Sequence, residues 1–247
     1  LMSRGLSIPT WRAFGLGFEP ARSLTSDRTQ RAPAIVWPVY HESTGAITAV
    51  RYRYAGATPT GDRYDGLFDS RTVDRLFGTS AAFSLTPPDA TDERTHAETL
   101  RCLVFTEGEF NAMSVWQACA NTGVDVLSFG SEAQRKLPAW AVDLAGAYGV
   151  VVAWVDSPDK ARDVQAQLGA RCVALRSVVT AEGEKLDANA LLVAGKLGGL
   201  IQTARLSAAR GRLRESILWQ LWDVREDLDA GTLHVARRLA QELGRNW

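Results

Sequence analysis

The chain has 247 residues, carries 28 Lys+Arg against 28 Asp+Glu, and is 46% hydrophobic. That length allows one large domain or two modest ones, and the composition is ordinary for a soluble globular protein. The balanced charge leaves no global field for tight autonomous binding of nucleic acid, so any polyanion must meet a local basic groove.

No apolar run approaches the roughly 20 residues that span a bilayer, and no signal peptide opens the chain. Cys102, Cys119 and Cys172 lie in apolar segments and form no C-x-x-C pair, which suits core thiols in a reducing cytosol. The expectation is a cytoplasmic protein without a membrane partner. A start at Leu1 rather than Met reads as a fragment with residues missing upstream.

In chain order, Ser7 is a candidate N-cap with Pro9 early in a short helix, which Gly15 and Gly17 stop. A polar linker is expected from Ala21 to Ala32. Two strand-like runs, Ala34–Tyr40 and Ala46–Tyr54, flank a glycine-containing turn and read as a β-hairpin. Arg51 and Arg53 alternate with Tyr52 and Tyr54, so both arginines share one face. Residues 55–70, with Arg63 among them, read as a loop. A short helix near Thr72–Leu76, a strand at Ala81–Leu85 and a linker over 86–99 follow.

From Leu100 the texture changes. Cys102–Thr106, Val124–Phe129, Val150–Val155 and Cys172–Leu175 are short apolar runs, with helical patterns at 108–121, 132–146 and 159–168 between them. Buried runs alternating with helices predict an α/β architecture, a parallel sheet covered on both faces. Residues 188–206 read as helix, and a tail of two more helices carries Trp219 and Trp222 as packing residues.

Carboxylates recur at the ends of these runs. Glu107 ends the first, Asp156 and Asp159 follow the third, and Asp187 comes after the fourth. Parallel strands deliver their carboxyl ends to one edge, where ligands of open α/β sheets bind. Clustered carboxylates repel, and a site that keeps them ionised usually holds a hard divalent cation such as Mg²⁺, with substrate phosphates completing the shell. Any one of these acids could instead cap the next helix.

With those residues in view, the sequence resembles the Toprim domain, and more closely the primase portion of bacterial and phage DNA primases and primase–helicases. Thr106-Glu107-Gly108-Glu109 with Ala112 is similar to the family's first acidic motif. Ser128-Phe129-Gly130 resembles the strand and glycine after it. Asp156–Ala161 resembles the paired-aspartate motif, and Asp187-Ala188-Asn189 with Leu191-Leu192 the late acidic motif. Upstream, Arg4-Gly5-Leu6-Ser7, Leu16-Gly17, Pro38, Gly45, Arg51, Arg53, Arg63-Tyr64 and Leu76-Phe77-Gly78 are similar to the primase subdomain that precedes Toprim.

The resemblance spans residues 1 to about 204. It implies a Toprim-like parallel sheet with helices on both faces, preceded by a smaller α+β primase subdomain and followed by a helical tail. The expected units are 1–98, 99–204 and 205–247. It implies RNA primer synthesis on a single-stranded DNA template from nucleoside triphosphates, using Mg²⁺ (or Mn²⁺). Glu107, Asp156 and Asp159 would be catalytic metal ligands and Asp187 a further ligand. Arg51, Arg53, Arg63 and Lys185 would contact nucleic acid or nucleotide. A replicative helicase and a zinc-binding module, upstream or on another polypeptide, would be partners. The family's second motif is usually Asp-x-Asp, whereas here the acids are three apart. Aligning Lys160-Ala161 puts Asp159 on the second aspartate and Ser157 on the first, and aligning the strand end favours Asp156. A Toprim nuclease and a non-catalytic binding or assembly module are the alternatives.

Overall fold

The computed structural model describes residues 2–41, 45–67, 76–78, 101–129, 136–169, 172–175, 178–181, 183 and 185–208. The expected helix at 72–76, for all but its last residue, lies outside the described residues. So do the strand at 81–85, the whole linker at 86–99 and, from residue 209 on, the tail with its tryptophans.

After a 3₁₀ turn at Met2–Arg4 comes α1 (Ile8–Ala13), with Ser7 as its N-cap and Pro in its first turn. Four antiparallel strands follow in sequential order: β1 (Gly17–Ser23), β2 (Arg31–Tyr40), β3 (Ile47–Tyr54) and β4 (Tyr64–Leu67). The β2–β3 hairpin is the one expected. The linker expected from Ala21 is not: its first residues end β1, and β4 lies where a loop was read. Both strands hid for physical reasons. β1 holds a proline, slips register between Glu19 and Arg22, and exposes residues without alternation. β4 is four residues long and includes a glycine.

The second sheet has the order β5-β7-β6-β8-β9. β6 (Cys102–Thr106) is central, flanked in parallel by β7 (Val124–Ser128) and β8 (Val150–Trp154), and β9 (Cys172–Leu175) extends it. The two-residue β5 (Phe77–Gly78) closes the other edge antiparallel to β7. All five residues of β6 and of β8 are buried. Alternate side chains serve opposite faces, as the pleat requires. Cys102 and Val104 join one core with Met113 and Leu191, while Leu103 and Phe105 join the other with Ala141 and Val164.

The helices sort accordingly. α2 (Glu109–Ala118) and α5 (Ala188–Val193) cover the first face, and α3 (Ala139–Gly146) and α4 (Pro158–Leu168) the second. The expected long helix over 188–206 is instead α5 and a helical run at 197–208, broken where Gly195 takes φ +69°. A short ribbon of β10 (Val178–Val179) and β11 (Lys185–Leu186) precedes α5. Among the described residues no helix is long and apolar enough to cross a membrane. Cys102, Cys119 and Cys172 are buried free thiols, and burial pushes each up, to about 12, 11 and 12.

The N-terminal part packs on the α2 face. Trp37 and Phe14 are fully buried, with Phe14 stacked on Phe77 and Trp37 edge-on to Phe110. Gln117 of α2 is the polar clasp between the two parts. Its amide donates to the Gly5 carbonyl, and its oxygen accepts from the Ser7 backbone N–H and the Thr10 hydroxyl, each at 2.7–2.8 Å. Truncating it removes three hydrogen bonds, two of them part-buried, so Gln117→Ala is expected to cost about 1–3 kcal/mol. A shift of the urea midpoint at unchanged slope would measure it.

Candidate active site

Glu107 stands at the carboxyl end of β6, where the parallel sheet opens. Gly108 makes the turn into α2 at φ 76° and ψ 146°, a conformation that suits glycine. Glu107 is buried, and its Oε1 lies 3.1 Å from the ammonium of Lys160. Its Oε2 is buried with no hydrogen-bond partner. Leaving such an atom unpaired costs on the order of 1–3 kcal/mol, more for a charged group, and invites a ligand.

The basic hairpin meets this strand end. Tyr52 and Tyr54 point into a small core of their own, which leaves Arg51 and Arg53 on the opposite face, against the start of α2. Arg51 forms a salt bridge with Glu109, itself 2% exposed. Burial pushes the Glu109 carboxyl above the ordinary carboxylate range, and the positive charges of Arg51 and Arg53 oppose that rise. Arg53 lies over the Phe110 ring at 4.6 Å and donates to the Tyr64 hydroxyl at 3.1 Å. Arg4 covers the same ring, also at 4.6 Å. A cavity of about 420 Å³ is lined by Arg4, Arg53, Arg63 and Phe110 among others. Arginine is the side chain suited to binding phosphate oxygens bidentately.

The remaining acids arrive differently from one another. β8 runs beside β6 with Thr106 opposite Trp154, so the segment carrying Asp156 and Asp159 leaves the sheet next to Glu107. Both side chains are exposed there, and Asp159 is ion-paired with Arg162. Neither caps α4; Ser157 does, accepting from the Lys160 N–H. Asp187 is the N-cap of α5, its carboxylate accepting from the Ala190 N–H at 2.8 Å. Asn189 of the same motif donates to the Arg4 carbonyl and the Ser114 hydroxyl, tying the N-terminal turn to α2 and α5. Lys185 belongs to β11. Among the described residues, no three His, Cys, Asp or Glu side chains come close enough together to hold a metal ion.

The unclaimed, buried carboxylate oxygen of Glu107 is the hard type of donor that a divalent cation takes, and waters and substrate phosphates would have to supply the other ligands. Three features were not anticipated from sequence: Lys160 on Glu107, the Arg51–Glu109 pair, and Arg4 at the cavity. Lys160 had a signal in retrospect, since it shares a helical stripe with the buried Ala161, Val164 and Leu168.

The cap at Asp187 makes a separable prediction. Asn caps as well as Asp, so Asp187→Asn should leave stability within a few tenths of a kcal/mol, whereas Asp187→Ala should cost about 1 kcal/mol. A ligand role adds loss of metal-dependent activity in Asp187→Asn at unchanged stability, which thermal unfolding and activity measured together would separate.

No protein-family model matches the sequence, and no curated protein matches it. Among solved structures, the DnaG catalytic core superposes with a TM-score of 0.54 at 18% identity, over 99% of this chain and 87% of that one. The DnaG primase catalytic domain bound to ssDNA gives 0.47 at 15% identity, over 100% and 89%. The primase fragment of the bacteriophage T7 primase–helicase gives 0.48 at 15%, over 82% and 71%. The chain has the mixed α/β fold of the DnaG catalytic core.

Proposed function

We propose that the chain is the catalytic part of a DNA primase, joining ribonucleotides on single-stranded DNA by divalent-cation-dependent nucleotidyl transfer. The observation that carries this reading is Glu107: a buried carboxylate with an unclaimed oxygen, at the open edge of a parallel sheet and within three residues of the ring that lines an arginine-rich cavity. The shared fold supports it.

In this reading Glu107 would hold the cation, and Asp156 and Asp159, exposed at the same edge, would have to turn toward it to add ligands. A Mg²⁺ or Mn²⁺ held by Glu107 would supply positive charge against the triphosphate in a transfer that joins a 3′-hydroxyl to the α-phosphorus and releases pyrophosphate. Arg4, Arg53 and Arg63 grip phosphate oxygens of the nucleotide or template from the cavity wall. Arg51 acts through Glu109, bracing the turn that carries Glu107. Lys185 is proposed as an outlying phosphate contact and Asp187 as a cap that can also donate to the cation. The units 1–98, 99–204 and 205–247, a cytoplasmic setting, and a helicase and zinc-module partnership complete the proposal.

The test supplies ssDNA, labelled ribonucleotides and Mg²⁺ or Mn²⁺. Template-complementary oligomers are the expected product, and strand cleavage without synthesis would indicate a nuclease. One observation favours a non-catalytic binding module: Lys160 already neutralises Glu107, and Arg162 already pairs with Asp159. Metal-independent DNA binding with neither product would select that reading.

A further inference from the structure

We propose that Lys160 is a built-in counter-cation of Glu107 that opposes an incoming divalent cation, so that this lysine sets the metal affinity of the site. The inference rests on the metal-binding reading of Glu107 given above.

The geometry leads there in three steps. Lys160 is 1% exposed, an unusual place for an ammonium. It reaches that place because α4, started by Ser157 and its proline, turns Asp159 outward toward Arg162 and the next residue inward. Its Nζ then sits 3.1 Å from Glu107 Oε1 and 4.6 Å from the centre of the Phe129 ring. An ammonium held between a carboxylate and an aromatic face is favourable where water is excluded.

Among the described residues, the Lys160 ammonium thus faces the Glu107 carboxylate before any metal binds. A divalent cation arriving at the unclaimed Oε2 would meet a carboxylate whose charge is already matched, next to a like-charged ammonium. Either Lys160 leaves, or extra anionic charge comes with the metal. Nucleoside triphosphate carries such charge, so metal occupancy becomes conditional on substrate. Of the described acids on this segment, Asp156 and Asp159 are exposed, in high dielectric.

The experiment measures Mn²⁺ binding without nucleotide, by the loss of its electron-spin-resonance signal, to wild type, Lys160→Met, Glu107→Gln and the double variant. Lys160→Met keeps the apolar stem and removes the charge. It is expected to bind Mn²⁺ at least about tenfold tighter than wild type, a change of about 1.4 kcal/mol in binding free energy. Binding at this site should vanish in both Glu107→Gln backgrounds. Because Lys160→Met leaves Glu107 buried without its partner, thermal unfolding supplies a second readout. Mn²⁺ should raise the melting temperature of Lys160→Met more than that of wild type, and leave the double variant unmoved. Equal or weaker Mn²⁺ binding in Lys160→Met, with binding still abolished by Glu107→Gln, overturns the lysine's role and leaves the metal reading standing. Mn²⁺ binding that ignores Glu107 in every variant overturns both.

Discussion

Arg51→Ala is expected to destabilise the fold by about 3–5 kcal/mol, the range for stranding one member of a buried ion pair. The Glu109 side chain is 3% exposed and that of Arg51 is 21% exposed, so the two halves of the pair are not equivalent. Losing the guanidinium leaves a carboxylate enclosed between α2 and the hairpin. Losing the carboxylate leaves an arginine that can still reach water. Glu109→Gln should therefore cost clearly less than Arg51→Ala. The double variant should recover part of the loss, because no charge is then left buried alone. Chemical denaturation of the four proteins gives the coupling directly. A cost below about 1 kcal/mol for Arg51→Ala would put the pair in the class of surface salt bridges. It would also remove the brace assigned to the Glu107 turn.

The parallel unit was legible because its central strands are buried on both faces and separated by helices, so β6, β8 and β9 read as apolar runs and β7 as one interrupted by Asp125. β6 and β9 fall on the expected residues, and β7 and β8 end one residue early. The hairpin was legible from alternation, and the arginine face that alternation predicts is the face that meets α2. What escaped were elements whose residues carry no periodic signal. β1 contains Pro20 and a register slip, and β4 and β5 are too short to show any period.

At the site, sequence order alone brought Glu107 and the segment after β8 to one edge, since parallel strands must end together. It could not say which way each side chain turns. One residue of helix is about 100° of rotation. Across that single step, Asp159 faces outward and Lys160 is buried beside Glu107. Likewise Asp187 reads in sequence as an acid near other acids, and in the fold it completes a helix cap. Long-range partners such as Arg51 with Glu109, 58 residues apart, follow from packing of the hairpin on α2 and have no local signature.

In the proposed reaction nucleotidyl transfer depends on Glu107, and loss of its charge should be the most damaging change to activity. Glu107→Gln keeps the shape and an oxygen that can accept from Lys160, but it leaves that ammonium buried without a countercharge. Glu107→Gln/Lys160→Met removes both charges and so separates catalysis from folding. The measurement is the rate of template-directed incorporation of labelled ribonucleotide on single-stranded DNA with Mg²⁺ or Mn²⁺, beside a circular-dichroism melt of each protein. Dependence on Glu107 means oligomer synthesis by wild type and a fall of at least about a hundredfold in both variants, about 3 kcal/mol of lost transition-state stabilisation, with the double variant still cooperatively folded. Synthesis by the folded double variant at a rate within about twofold of wild type would contradict it.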